Sequence, residues 1–219
     1  MSLWDNERVE RYIRLYGDPR EKKGSQSALC SDIASLMIGG SVADFACGMG
    51  HLAAYIGEDR SYLGLDLSEE MLERARGFFP DKIFIRVDIT KNFPPAIEKL
   101  YDNTVAVSIS LHLERTEAYA LYRSMWKHTS PGGRMIFSME TNGGTAMKRP
   151  DGLLIRNQPV ESVVEDLKEV TGEKVNWTHQ KKTIQILQEI YHLSDKVKII
   201  GLSQVARTTI FWVHKAVIT

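Results

Sequence analysis

The chain lacks most of the features that would place it in a specialised environment. It has only two cysteines, Cys30 and Cys47, among 219 residues. Two thiols build neither a disulfide framework nor a metal cluster, and they suit a reducing compartment. No apolar run approaches the roughly 18 residues of a membrane-spanning helix, and no secretory leader is legible. The sequence therefore predicts a cytoplasmic protein with no membrane contact and no bound metal. Excess charge of one sign is also missing, because 28 Lys and Arg balance 28 Asp and Glu. That balance gives no general pull toward nucleic acid; only a local patch would supply one. No repeat and no low-complexity tract divides the chain. What is present is an ordinary globular composition, 43% hydrophobic, and enough length for one α/β domain with a substantial core.

The hydrophobic pattern orders that domain. Val9, Tyr12, Ile13 and Tyr16 recur at helical spacing, and Gly17 and Pro19 stop the helix. Asp18 to Ser27 reads as a loop, and Ser27 to Met37 as a second helix. Short apolar strands then alternate with helical stretches. The strands are expected at 41–46, 61–66, 83–88, 104–110 and 134–140, and the helices at 50–56, 69–78, 95–100 and 116–128. Pro131-Gly132-Gly133 is a turn ahead of the fifth strand. Such alternation predicts a parallel sheet covered on both faces. Thr141 to Gln158 is rich in Gly, Asn and Pro and reads as a loop. Val160, Val163, Val164 and Leu167 mark another helix, closed by Gly172. Residues 173–193 lean toward helix through Ile184, Leu187, Ile190 and Tyr191. Runs at 197–202 and 208–213 predict a terminal hairpin, hence a reversed edge.

Four features fall at the carboxyl ends of successive strands, where open α/β sheets bind ligands. The first is the turn Asp44-Phe45-Ala46-Cys47-Gly48-Met49-Gly50, whose glycines allow positive φ and close backbone approach. Asp66 ends the second strand, and Ser68 is placed to cap the next helix with Met71 at its third position. Val87-Asp88-Ile89 ends the third strand. Ser108 to His112 follows the fourth.

These residues resemble the class I S-adenosylmethionine-dependent methyltransferases, well over residues 40–140 and in outline elsewhere. The resemblance implies a doubly wound, Rossmann-like, seven-stranded and mostly parallel sheet with its last strand reversed. It implies S-adenosylmethionine as cofactor and S-adenosylhomocysteine as product. Asp44, Ala46, Gly48 and Gly50 match the family's glycine motif, with Cys47 at a variable position; by resemblance this loop holds the methionine part. Asp66 matches the acidic residue that takes the ribose hydroxyls. Leu67 or Met71 would touch the adenine, and Asp88, flanked by Val87 and Ile89, would sit near its amino group. Ser108 and Ile109 match the segment on the methyl-donor side. Residues 1–38 would form a helical lid with Tyr12 and Tyr16 facing the cofactor, and residues 141–195 a substrate-side cap, on a single domain spanning 1–219.

The residue chemistry agrees with those roles. A carboxylate accepts two hydroxyl hydrogen bonds in a bidentate way. An acidic group such as Asp44 complements a cationic ligand. A nicotinamide dinucleotide is the competitor, because Gly48-x-Gly50-x-x-Ala53 also fits its fingerprint. Asp44 inside the first strand and the run from Asp66 to Met71 count against it. His112 is placed to serve as a general base, against the alternative of a sheet-end histidine. Glu140 ends the fifth strand, placed either to touch a substrate or to serve as a helix cap or solvent contact, and His51 shapes the loop. Arg20, Lys22, Lys23, Lys148, Arg149 and Arg156 read as solvated loop charge rather than a nucleic-acid patch. The sequence thus predicts methyl transfer to a small-molecule acceptor. The other readings are a methyltransferase for RNA or protein, with Trp177 on its surface, and a non-catalytic binding module. Acceptor identity and oligomeric state are not encoded in any legible motif.

Overall fold

The computed structural model of the chain describes residues 6–91, 97–141, 147–148, 154–156, 158–180 and 207–217. Two helices come first, α1 (Asn6–Tyr16) and α2 (Gly24–Ser35). A short 3-10 turn at Pro19–Glu21 joins them, capped by the Asp18 carboxylate, which accepts from the Arg20 N–H. The sheet holds β1 (Ser41–Phe45), β2 (Ser61–Asp66), β3 (Ile83–Arg86), β4 (Tyr101–Val107), β5 (Thr129–Thr141), β6 (Val175–His179) and β7 (Arg207–His214). The helices α3 (Glu69–Phe78), α4 (Arg115–His128) and α5 (Val160–Thr171) connect them. A two-residue ribbon pairs Met147–Lys148 with Leu154–Ile155.

The spatial order is β3-β2-β1-β4-β5-β7-β6. The first five strands pair in parallel, and β7 runs antiparallel to both β5 and β6. This is the expected doubly wound sheet with a reversed last strand. Alternation along each strand divides the core between its two faces. Val42 joins Leu29 and Ile33 of α2 and Leu72 and Ala75 of α3. Ala43 and Phe45 point the other way, to Leu121 and Met125 of α4 and Leu167 of α5. On that second face Phe137 stacks on Phe211 at 5.1 Å, which ties β5 to β7 through side chains as well as backbone.

Several expectations need correction. The helix expected at 50–56 is only a 3-10 turn at Ala53–Tyr55. Gly50 stands in the left-handed region and Gly57 follows closely, which leaves too few residues for a full helical turn to propagate. The helix expected at 95–100 falls partly on residues outside the described set, and 98–100 are not helical. The Pro131 turn lies within β5 as a bulge: pairing jumps from Tyr101↔Thr129 to Asn103↔Arg134. The terminal hairpin is replaced by a pairing of β7 with β6, a strand the sequence reading missed. Residues 197–202 are outside the described set, and both edges of β7 are taken by β5 and β6. The helical pattern from Ile184 to Tyr191 also lies outside the described residues.

One glycine is fixed by packing. A Cβ on Gly64 in β2 would sit 2.5 Å from the Phe84 ring and 2.8 Å from Cys47 Sγ. Overpacking of this kind costs about 1–3 kcal/mol. Gly64→Ala should therefore lower the melting temperature by roughly 5 °C for a domain of this size. An unchanged melting curve would mean that the Phe84 ring has room to turn aside.

Candidate functional site

A cavity of about 470 Å³ opens at the carboxyl ends of β1, β2, β4 and β5. Parallel sheets place ligands there because strand order reverses at β1 and β4 and the loops diverge. One wall is the β1 turn with Ala46 and Gly48, together with Asp66 and Met71. The opposite wall is Ser108, Ile109, Leu111 and His112, after β4, with Glu140 ending β5. Over both lies α1. Its Arg8, Arg11, Tyr12, Leu15 and Tyr16 recur at i, i+3, i+4, i+7 and i+8, one continuous helical stripe. Val9 and Ile13, on the adjacent stripe, hold the helix down against Met49, Met71 and Phe78.

The glycine turn is held by Asp66. Its Oδ2 accepts from the Gly48 N–H at 2.9 Å and its Oδ1 from the Ser68 N–H at 2.9 Å. Burial pushes the Asp66 carboxyl up, and those backbone donors pull against the rise. Ser68 caps α3 as expected, its Oγ accepting from the Met71 N–H at 3.2 Å. Gly48 is left-handed at φ +53°, and a Cβ built on it would meet nothing within 4 Å. Its missing side chain therefore leaves open space at the cavity. Two non-glycine residues on the cavity walls, Ala46 (φ 61°) and Ser108 (φ 54°), are also left-handed. Such strain clusters at sites where the backbone must come close to a ligand.

Asp44 is 1% exposed and receives a hydrogen bond from the Tyr62 hydroxyl at 2.7 Å. Its other oxygen, Oδ1, has no partner. Desolvation pushes the carboxyl up to about 7, against the pull of the Tyr62 bond. Asp44 and Cys47 border a second cavity of about 40 Å³, which shares Tyr12, Gln26, Ala46, Gly48 and Val107 with the large one. It has room for one small polar group. The Cys47 thiol is raised by burial and is not a reactive thiolate. His51 is buried against the Tyr12 ring, at 5.9 Å between centroids.

The sequence-derived residues divide accordingly. Ala46, Gly48, Asp66, Met71, Ser108, Ile109, His112 and Tyr16 line the large cavity, and Asp44 and Cys47 the small one. Gly50, Leu67, Val87, Asp88 and Ile89 line neither. Gly50 packs against the Phe79 ring, Leu67 is exposed, and Val87 and Ile89 belong to the core. The Asp88 carboxylate is taken locally by Thr90 and Lys91, which hold it below the usual range despite some desolvation. His112 Nδ1 lies 2.8 Å from the Leu154 carbonyl, which can only accept, so Nδ1 carries a proton. Arg8, Arg11, Gln26, Gln180 and Thr208 were missed. The stripe shared with Tyr12 and Tyr16 was the available signal for the two arginines.

Three of the loop cations behave as solvated charge, and Arg149 lies outside the described residues. Arg20 pairs with Asp18, Lys23 with Glu21, and Lys22 sits over the Tyr55 ring. Arg156 does not, being buried. Among the described residues no three His, Cys, Asp or Glu side chains are grouped to hold a metal, and no helix is long and apolar enough to cross a membrane.

Residues 42–133 match the family model described as a methyltransferase domain. Among curated proteins, trans-aconitate 2-methyltransferase of Rhodopseudomonas palustris is 28% identical over 155 residues, covering 69% of this chain and 52% of that protein. The chain thus spans about half the length of the curated relative. Among solved structures, an S-adenosylmethionine-dependent methyltransferase from Clostridium acetobutylicum superposes with a TM-score of 0.66 at 13% identity, covering 94% of this chain and 98% of that one. Phosphoethanolamine N-methyltransferase 2 of Haemonchus contortus, solved with S-adenosyl-L-methionine, gives 0.68 at 15% identity, covering 98% and 58%. At such identities these structures establish a shared fold. The chain thus carries, at residues 42–133, a stretch that matches a methyltransferase domain, within a fold that it shares with those methyltransferases.

Proposed function

We propose that the chain moves a methyl group from S-adenosylmethionine to a small-molecule acceptor held in the same cavity. The observation that carries this reading is the continuity of the 470 Å³ cavity, from the Gly48 and Asp66 turn to the Ser108–His112 wall. Donor and acceptor placed at those two ends would meet inside one enclosure. The residues present suit the cofactor. Gly48 leaves open space where a side chain would stand, Asp66 offers a carboxylate for paired hydroxyls, and the unpartnered Asp44 Oδ1 faces room for an ammonium group. Met71 supplies apolar contact, and Tyr12 and Tyr16 face inward from α1. The name of the curated relative, a trans-aconitate methyltransferase, supports a small acceptor.

When bound, the sulfonium supplies an activated methyl, so the chemistry demands alignment more than activation. The chain's own part is to orient and to exclude water. The stripe on α1 closes the cavity from above, and the segment around Leu154 braces the wall from the side through His112. The Leu154 carbonyl orients the His112 ring on the acceptor wall, where His112 is the candidate to take a proton from an acceptor hydroxyl or amine; an acceptor carboxylate needs no such step.

Calorimetric titration tests the reading. S-adenosylhomocysteine and S-adenosylmethionine should each bind with one site per chain, and NADH should give no heat. NADH binding in their place, or folded protein that binds none of the three, would overturn it.

A further inference from the structure

We infer that the acceptor carries an oxyanion group, a carboxylate or a phosphate, and that the buried guanidinium of Arg156 receives it; this rests on the methyltransferase reading above. Arg156 is 7% exposed, and its Nε, Nη1 and Nη2 have no hydrogen-bond partner. A guanidinium carries five donors and cannot discharge itself by losing a proton. Leaving it buried and unpaired is among the least favourable arrangements a folded chain can hold. Among the described residues no carboxylate answers it. The buried acid of α5, Asp166, is engaged by Arg115 at 2.9 Å and by the Tyr119 hydroxyl at 2.8 Å.

The position of Arg156 relates it to the acceptor wall. Its backbone N–H donates to the Leu111 carbonyl at 2.8 Å, and two residues earlier the Leu154 carbonyl holds His112. The 154–156 segment therefore runs along the Ser110–His112 turn, whose Leu111 and His112 line the cavity. Around it, the Ser110 and Tyr122 hydroxyls are also buried. Burial pushes the Tyr122 phenol up to about 12, and the Ser110 hydroxyl and the Arg156 charge both oppose the rise. The cluster is thus rich in donors and carries a positive charge without an anion. Arg8 and Arg11 line the same cavity, whose carboxylates are Asp66 and Glu140. A neutral or cationic acceptor would leave this cluster unsatisfied. A carboxylate or phosphate matches a planar guanidinium through two parallel hydrogen bonds.

The test is a titration of chain already saturated with S-adenosylhomocysteine. The probes are trans-aconitate, phosphoethanolamine and, as an uncharged control, the trimethyl ester of aconitate. The chains are wild type, Arg156→Met and Arg156→Lys, each with a melting curve. At least one oxyanion probe should bind the wild type. Arg156→Met should weaken it tenfold or more, with unchanged S-adenosylhomocysteine affinity and a melting temperature equal or higher. Arg156→Lys should recover part of the binding. Binding of trans-aconitate alone assigns a carboxylate, and binding of phosphoethanolamine alone assigns a phosphate. The inference is overturned if neither oxyanion binds, if the ester binds as well, or if Arg156→Met binds like wild type. A clear drop in melting temperature for Arg156→Met also overturns it, because the chain itself would then be partnering the guanidinium. Failure of S-adenosylhomocysteine to bind removes the methyltransferase reading first, and this inference with it.

Discussion

Asp66→Ala is expected to weaken S-adenosylhomocysteine binding by a hundredfold or more. The carboxylate holds the Gly48 and Ser68 N–H groups, one on each oxygen, and lines the cavity. Two charge-assisted hydrogen bonds from ligand hydroxyls are worth about 1.5–3 kcal/mol each, so their joint loss spans two orders of magnitude or more. The substitution also releases the two backbone donors and loosens the glycine turn. That second effect is limited to two backbone N–H groups, of which that of Ser68 is fully buried and that of Gly48 is partly exposed. Melting curves should therefore shift by only a few degrees while calorimetric binding disappears. Asp66→Asn, which keeps one acceptor oxygen and the side-chain shape, should lie between wild type and alanine. Binding within threefold of wild type in the alanine variant would remove Asp66 from the ligand site.

The second large effect concerns pH and Asp44. Its carboxyl moves from 3.8 in the unfolded chain to about 7 in the fold. A raised pKa means that the folded state keeps a proton the unfolded state has already lost. The stabilising contribution is full below about pH 4 and is lost as pH rises, until ionisation in the fold is complete above about 7. Roughly three pKa units at 1.36 kcal/mol each give about 4 kcal/mol across that window. Asp44→Asn keeps the acceptor for the Tyr62 hydroxyl and removes the titration. Urea unfolding from pH 4.5 to 7.5 should show the wild type falling relative to Asp44→Asn by a few kcal/mol. Ligand binding should move the opposite way. An ammonium group in the small cavity pairs with the ionised form, so S-adenosylmethionine affinity in the wild type should rise up to tenfold per pH unit until about pH 7. The asparagine variant should bind weakly and without that slope. Parallel pH profiles for the two chains would refute the assignment of Asp44.

The parts of the molecule that were legible in sequence were those specified by local pattern. The first five strands, the glycine turn and the Ser68 cap each depend on residues close together in the chain. The sixth strand was hidden because Val175 and Trp177 give a single alternation, with Trp177 45% exposed, and the stronger helical spacing that follows overrode it. The terminal hairpin failed for a related reason: two β-rich runs near each other say nothing about which edges are already occupied. Asp88 looked like a ligand contact, yet Thr90 and Lys91, two and three residues on, satisfy its carboxylate within its own turn. Arg156 was unreadable for a simpler reason. A cation in sequence is assigned to water by default, and only coordinates reveal one that is enclosed without an anion.

The insertion of β7 between β5 and β6 also dictates an order of assembly. Strands β1 to β5 are joined by short crossovers, whereas the register that begins at Thr141↔Arg207 closes over a long stretch of chain. Loop closure of that kind must be completed before its contacts contribute, which makes it slow. Until then β5 presents an open edge, and β6 has no neighbour to dock on, since its described ladder is with β7. The Phe137 and Phe211 rings can stack only at this last step. The carboxyl ends of β1, β2 and β4, which carry the glycine turn, Asp66 and Ser108, belong to the half that assembles early. A nascent molecule thus holds the first wall of its cavity before the sheet is complete, and its exposed β5 edge is where misassociation between unfinished copies begins.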